Sequence, residues 1–307
     1  MKKMTVDKKQ NGKGVKIMKK GFMKKVGAIA VALAAVTMCG TSVAQAATWM
    51  PPLGPLYIKF DNKEQLNLAG PEVNWGVALI STVSAGNNGS DPYNFPPTGN
   101  PLWTDGDGNA EITAMFYGLT AGTPSATAFN STGGFIDLYY DDTPDADMAA
   151  ASAADRTGVS SFNNFTDGVL LARIAFYNGA IIAGDLVTSV TGTAIPTAGG
   201  FTGFANSFGN VVDVNGDGIV DELDGAWADI LDGNYFPVQN GLANADLKFR
   251  NIYESTGSHS WDDLGRQIFG ADSTDPARAY VVPEPSTMLL LGMGLVGAGL
   301  MARRRKA

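Results

Sequence analysis

From residue 56 onward, short apolar runs alternate with clusters of turn-forming residues, a spacing that predicts strands rather than helices. Residues 56–60, 75–82, 111–117, 135–140, 169–177, 186–191 and 247–253 read as strands. The run 169–177 is almost continuously apolar, which suits a central strand. Asn/Gly/Asp/Pro clusters at 87–92 and 105–109 are turn signals. Irregularly spaced strands predict a mainly β body, a β-sandwich or jelly-roll-like fold. Five alanines within 145–155 allow a short helix or a plain excursion. The Gly/Phe-rich stretch 199–212 reads as a connection, and 272–282 as a linker.

Two apolar segments lie outside this pattern. Lys19, Lys20, Lys24 and Lys25 precede a 14-residue apolar run, 26–39, of signal-peptide length. Ala44-Gln45-Ala46 offers the small-x-small pattern of signal peptidase, so cleavage is expected between Ala46 and Ala47, making 1–46 a signal peptide. Met18 opens a more ordinary leader than Met1 does. That cut removes Cys39, the chain's one cysteine, and the mature body then forms no disulfide. At the other end, Pro283-Glu284-Pro285 leads into a 16-residue apolar run, 287–302, followed by Arg303, Arg304, Arg305 and Lys306. The run is a short transmembrane helix on this reading, with its cations on the cytoplasmic side.

The order tripeptide, short helix, basic stop over 283–307 resembles the PEP-CTERM sorting domain. The same kind of segment also carries the label ice-binding-protein C-terminal domain, which does not imply ice binding. The resemblance implies a Gram-negative host, cleavage near Pro-Glu-Pro by an exosortase, and delivery toward the cell surface and its exopolysaccharide. Both ends place the intervening residues outside the inner membrane.

Charge sharpens this picture. Residues 47–282 hold eight lysines and arginines against 28 acids, a net charge of −20. Such a body is a poor partner for nucleic acid or an anionic membrane surface.

Within the body, 213–224 has the spacing of a twelve-residue calcium loop. Asp213, Asn215 and Asp217 stand at positions 1, 3 and 5, Gly218 at the bend, and Ile219 offers a backbone carbonyl. Asp221 follows at position 9 and Asp224 at position 12. Crowded carboxylates favour a hard cation, and the all-oxygen donor set favours Ca²⁺ over Zn²⁺. Leu223, Trp227, Ile230 and Leu231 predict an apolar helix face after the loop. The loop resembles a single dockerin type I or EF-hand-like calcium loop; a dockerin has two, so cohesin binding is not implied. Residues 47–212 are therefore expected as a β-rich domain, with 213–271 a calcium loop–helix region of the same domain or a separate module.

Catalytic signals are sparse. His259 is the chain's one histidine, flanked by Ser258, Ser260 and Asp262, and no Gly-x-Ser-x-Gly elbow occurs. The expectation is a non-catalytic protein of the cell surface or biofilm matrix with a structural calcium. The alternative is a secreted carbohydrate-active hydrolase using paired carboxylates.

Overall fold

The computed structural model describes residues 48–67, 70–87, 93, 96–121, 128–197, 200–256, 261, 268–283, 293 and 295. Among these lie ten strands: β1 (Gly54–Asn67), β2 (Asn74–Gly86), β3 (Pro97–Thr104), β4 (Glu111–Ala121), β5 (Ala128–Asp141), β6 (Val169–Phe176), β7 (Val190–Thr197), β8 (Gly200–Val211), β9 (Leu247–Thr256) and β10 (Ile268–Val281). One α-helix, α1 (Ala228–Leu231), is a single turn. All belong to the unit formed by residues 48–307.

Hydrogen-bonded neighbours run β1-β10-β9-β8-β6-β5-β4-β2, and β2 pairs back onto β1. The sheet closes into an eight-stranded antiparallel barrel rather than the expected two-layer sandwich or jelly roll. Strand spacing reports how many strands a chain makes; it does not report whether the first finds the last. Here β1 pairs with β10 along its whole length, from Gly54↔Val281 to Asn67↔Ile268, which removes both sheet edges.

Two irregularities shape the ring. β6 and β7 run in the same direction along β5 and both pair with β8, so they share one strand position, interrupted by the excursion 177–189. Strand β3 pairs only with β2, outside the ring. On β2, Ser81 is an extra residue between Thr82↔Lys59 and Ile80↔Phe60, a bulge that lets Val83 and Ile80 both turn to the core.

The interior is apolar where the chain enters and leaves. Leu56 and Ile58 of β1 meet Ile80 of β2, Ile112 and Ala114 of β4, Leu138 of β5, Leu171 of β6, Leu247 of β9 and Ala277 and Ala279 of β10. Around α1, Trp227 is 1% exposed, donates its indole N–H to the Trp49 carbonyl at 2.9 Å, and meets the Trp49 ring at 5.8 Å. Trp49 in turn leans on Trp103 at 6.3 Å. The Val282 N–H donates to the Ile230 carbonyl at 3.0 Å, fixing the exit of the chain against the helix.

Several expectations change. Residues 272–282, expected as a linker, are mostly strand β10. The connection 199–212 is strand β8, whose glycines mark close approach rather than turning: a Cβ on Gly203 would run into the Thr193 carbonyl oxygen across the ladder. β9 and the start of β10, within 213–271, complete the ring with strands of 48–212. The alanine-rich 145–155 forms turns and one 3₁₀ turn, Ala153–Asp155, closed by a capping box between Ser152 and Asp155. With 156–167 it covers the outer face of β2 and β4, where Trp75, Met115, Phe162, Phe165 and Trp261 form a second apolar cluster. No helix among the described residues is long and apolar enough to cross a membrane, and the predicted spanning run falls almost wholly outside them.

Candidate functional site

Continuing along β1, the inward face changes character. After Leu56, Ile58 and Phe60 come Asn62 and Glu64, both 2% exposed. Glu64 lies opposite Gly76 of β2, two residues from Asn74, and its carboxylate gathers donors from three strands. The side-chain amides of Asn62, Asn74 and Asn251 donate to it at 3.0, 2.7 and 2.7 Å. Charge-assisted bonds of this kind are the strong ones, and a buried carboxylate requires them.

Beside this carboxylate lies a cavity of about 70 Å³. Its walls are the rings of Phe60, Phe116, Phe129, Phe176 and Phe249, with Tyr253 and the hydroxyls of Ser131 and Ser207. Glycine at 76 makes room for one wall, since a Cβ there would collide with the Phe116 ring and the Lys63 carbonyl. The Tyr253 hydroxyl donates to the Thr193 carbonyl oxygen. Burial, reinforced by the Glu64 charge, pushes the Tyr253 phenol well above its ordinary range, so it stays neutral. Among the described residues, the carbonyl oxygens of Asn62, Asn74 and Asn251 meet no hydrogen-bond donor.

A second polar group sits on the outer face of the barrel and is structural. Asp137, fully buried, accepts two bonds from the Arg173 guanidinium at 2.8 and 2.7 Å and one from Tyr117 at 3.1 Å. Burial and then the Asp137 charge push Tyr117 up to about 12. Nearby, Arg156 pairs with Glu72 at 2.7 Å and lies over the Trp75 ring at 4.3 Å.

In the structure the acidic side chains of the 213–224 loop accept hydrogen bonds from the loop's own backbone. Asp213 accepts from the Gly216 and Gly218 N–H groups, Asn215 from Asp217, Asp217 from Ile219, and Asp221 from Leu223. Asp224, 1% exposed, accepts from Val214, Asn215 and Asp221. Burial acts to raise its pKa, but these three N–H bonds outweigh it and hold the carboxyl below its ordinary value. The side chains thus close the loop on its own backbone. Nor does the expected helix follow: Leu223 is 73% exposed and α1 begins only at Ala228. Among the described residues, the trio of carboxyl groups with oxygens within 4.8 Å of one another is Glu111, Asp141 and Asp145, none of them in this loop. Glu111 is buried and its pKa raised by that burial, while the Asp145 and Ala146 N–H groups donate to it. Proximity alone does not make that trio a metal site.

Of the sorting residues, Pro283 is described and exposed; Glu284, Pro285, Arg303, Arg304 and Arg305 lie outside the described residues, as do Ala44, Ala46, Ala47 and His259. The sequence reading missed the Glu64 cluster because 61–65 is an unbroken polar run, which ended the predicted strand at Phe60. The one available signal was the even-numbered face: Leu56, Ile58, Phe60, Asn62, Glu64 and Leu66.

Comparison with known families matches residues 281–306 to the PEP-CTERM protein-sorting motif. The motif marks an exported protein that is processed by an exosortase and sorted to the cell surface. Neither a dockerin or EF-hand loop nor an ice-binding label is supported. No curated protein and no solved structure matches the chain.

Proposed function

We propose that this chain is a non-catalytic protein of the cell surface or exopolysaccharide matrix, whose barrel is the delivered, ligand-binding body. The observation that carries the reading is continuity: the sorting motif begins at Val281, the last residue of β10. The barrel is thus joined directly to its address. A net charge of −20 over 47–282 keeps this body from adhering to anionic lipid or nucleic acid. Among the described residues, the wall of the cavity of about 70 Å³ carries one carboxyl, Glu64, whereas a two-carboxylate hydrolase needs a pair facing one cleft. Deleting the gene is expected to alter cell aggregation and matrix composition. Unchanged values of both would count against the matrix role, and turnover of any polysaccharide by the purified protein would count against the non-catalytic one.

The same reading includes a structural Ca²⁺ on Asp213, Asn215, Asp217, Asp221, Asp224 and the Ile219 carbonyl. Gly216 and Gly218, both at positive φ (77° and 92°), let the backbone wrap as such a loop requires. Chelation is then expected to lower the Tm, and Asp213→Ala with Asp217→Ala to abolish that response. An identical melting curve with and without chelator would remove calcium from the proposal.

A further inference from the structure

The polar half of the barrel interior carries acceptors that the described protein groups do not satisfy. A buried carboxylate fixes the orientation of the three amides around it, because their N–H groups are attracted to it and their oxygens repelled. The three carbonyl oxygens are thereby left over, and among the cavity-lining side chains they are the buried polar atoms that no described protein group satisfies. Asn62, at 2% exposure, is beyond the reach of bulk water. Unpaired acceptors are costly in such a place. What would satisfy them is a guest that brings hydrogen-bond donors, and beside Glu64 a positive charge is favoured.

We infer that the cavity binds a small organic cation, a primary ammonium on a short apolar body. A –NH₃⁺ group supplies three donors to the three oxygens and a charge to Glu64. The five phenylalanine rings receive the apolar body and favour a cation over their faces. Size narrows the class. A cavity of about 70 Å³ holds roughly five water positions, hence a guest of about five or six non-hydrogen atoms, which excludes a hexose ring. A divalent metal ion would need the carboxylate oxygens directly, and both already accept amide N–H bonds. The inference rests on the binding-body part of the proposed function and not on where the protein is delivered.

The test titrates the full-length chain, purified in mild detergent and held at constant Ca²⁺, with n-butylammonium, n-butanol and K⁺, by calorimetry and thermal shift. Butylammonium is expected to bind saturably with a Kd on the order of 0.1–1 mM, within the ceiling for so small a ligand. Butanol should bind at least about tenfold more weakly, and Glu64→Gln should weaken the amine about tenfold. Because Glu64→Gln also disturbs its amide donors, a second measurement uses the unaltered chain: nuclear Overhauser contacts from the butyl protons to the phenylalanine rings of the cavity. Equal binding of butanol, a response to K⁺ as strong as that to the amine, no saturable binding, or binding without those contacts would each overturn the inference. Delivery to the surface would stand in all four cases.

Discussion

The two halves of the barrel interior use the same alternation of inward residues and opposite chemistry. In the half nearest Gly54 and Val281, the space enclosed by Ile58, Ile80, Ala114, Leu138, Leu247 and their neighbours is about 20 Å³. That is room for one water, but the wall offers it no polar partner, so it stays dry. In the other half, the wall recedes to about 70 Å³ and carries a carboxylate, three amides and a phenol. An eight-stranded ring is just wide enough either to fill itself or to hold one small guest, and this one does each at a different level. The lesson is that stability and recognition are separated along the barrel axis rather than mixed at one level.

Mutations can break that division, beginning with the largest effect. Leu171, fully buried in the dry half, should cost about 3–5 kcal/mol when cut to alanine, measured by denaturant unfolding. A loss under about 1 kcal/mol would mean that this half does not carry the fold. At the rim of the dry half, Asp246 accepts N–H bonds from Val211 and Asn234 and lies against Asp232. Burial pushes Asp246 up to about 6. Its folded pKa exceeds its unfolded one of 3.8, so its stabilising contribution is complete below about pH 4 and lost as pH rises through about 6. Stability should therefore fall across pH 4–7 by about 2–3 kcal/mol, the Asp232–Asp246 pair titrating together. Asp246→Asn should flatten that slope; an unchanged slope would assign it elsewhere.

The smallest effect sharpens the contrast instead. Asn251→Ala removes one donor from Glu64 and also one unpartnered oxygen. These act in opposite directions, so the net cost should be about 1 kcal/mol, well below that of Leu171→Ala. A loss as large as the dry-half variant's would show that the polar half is structural too.

Much of the barrel was legible from period-two apolar runs: parts of β1, β2, β4, β5, β6 and β9 all coincide with predicted strands. Strand β7 overlaps the predicted 186–191 only at its first two residues, and three strands had no predicted counterpart. Exposed β3 carries little apolar pattern, with Trp103 its one buried residue. In β8, glycines that read as turn-formers are instead the positions where neighbouring backbones crowd. In β10, Asp272, Ser273, Thr274, Asp275 and Pro276 look like a linker. Proline lacks an N–H, and the ladder to β9 is indeed interrupted between Ser273 and Ala277, while pairing with β1 continues past it. The address at the C-terminus was legible because its signature is local. The Glu64 cluster was not, because it joins residues up to 187 positions apart that only ring closure brings together.

That closure has a consequence for truncation. The seam between β1 and β10 joins nearly the first and nearly the last residues of the body. The ring cannot shut in a chain that lacks residue 281, and that residue also opens the sorting motif. Barrel closure and the sorting motif therefore share residue 281, so a truncation that trims the motif back past it also opens the seam.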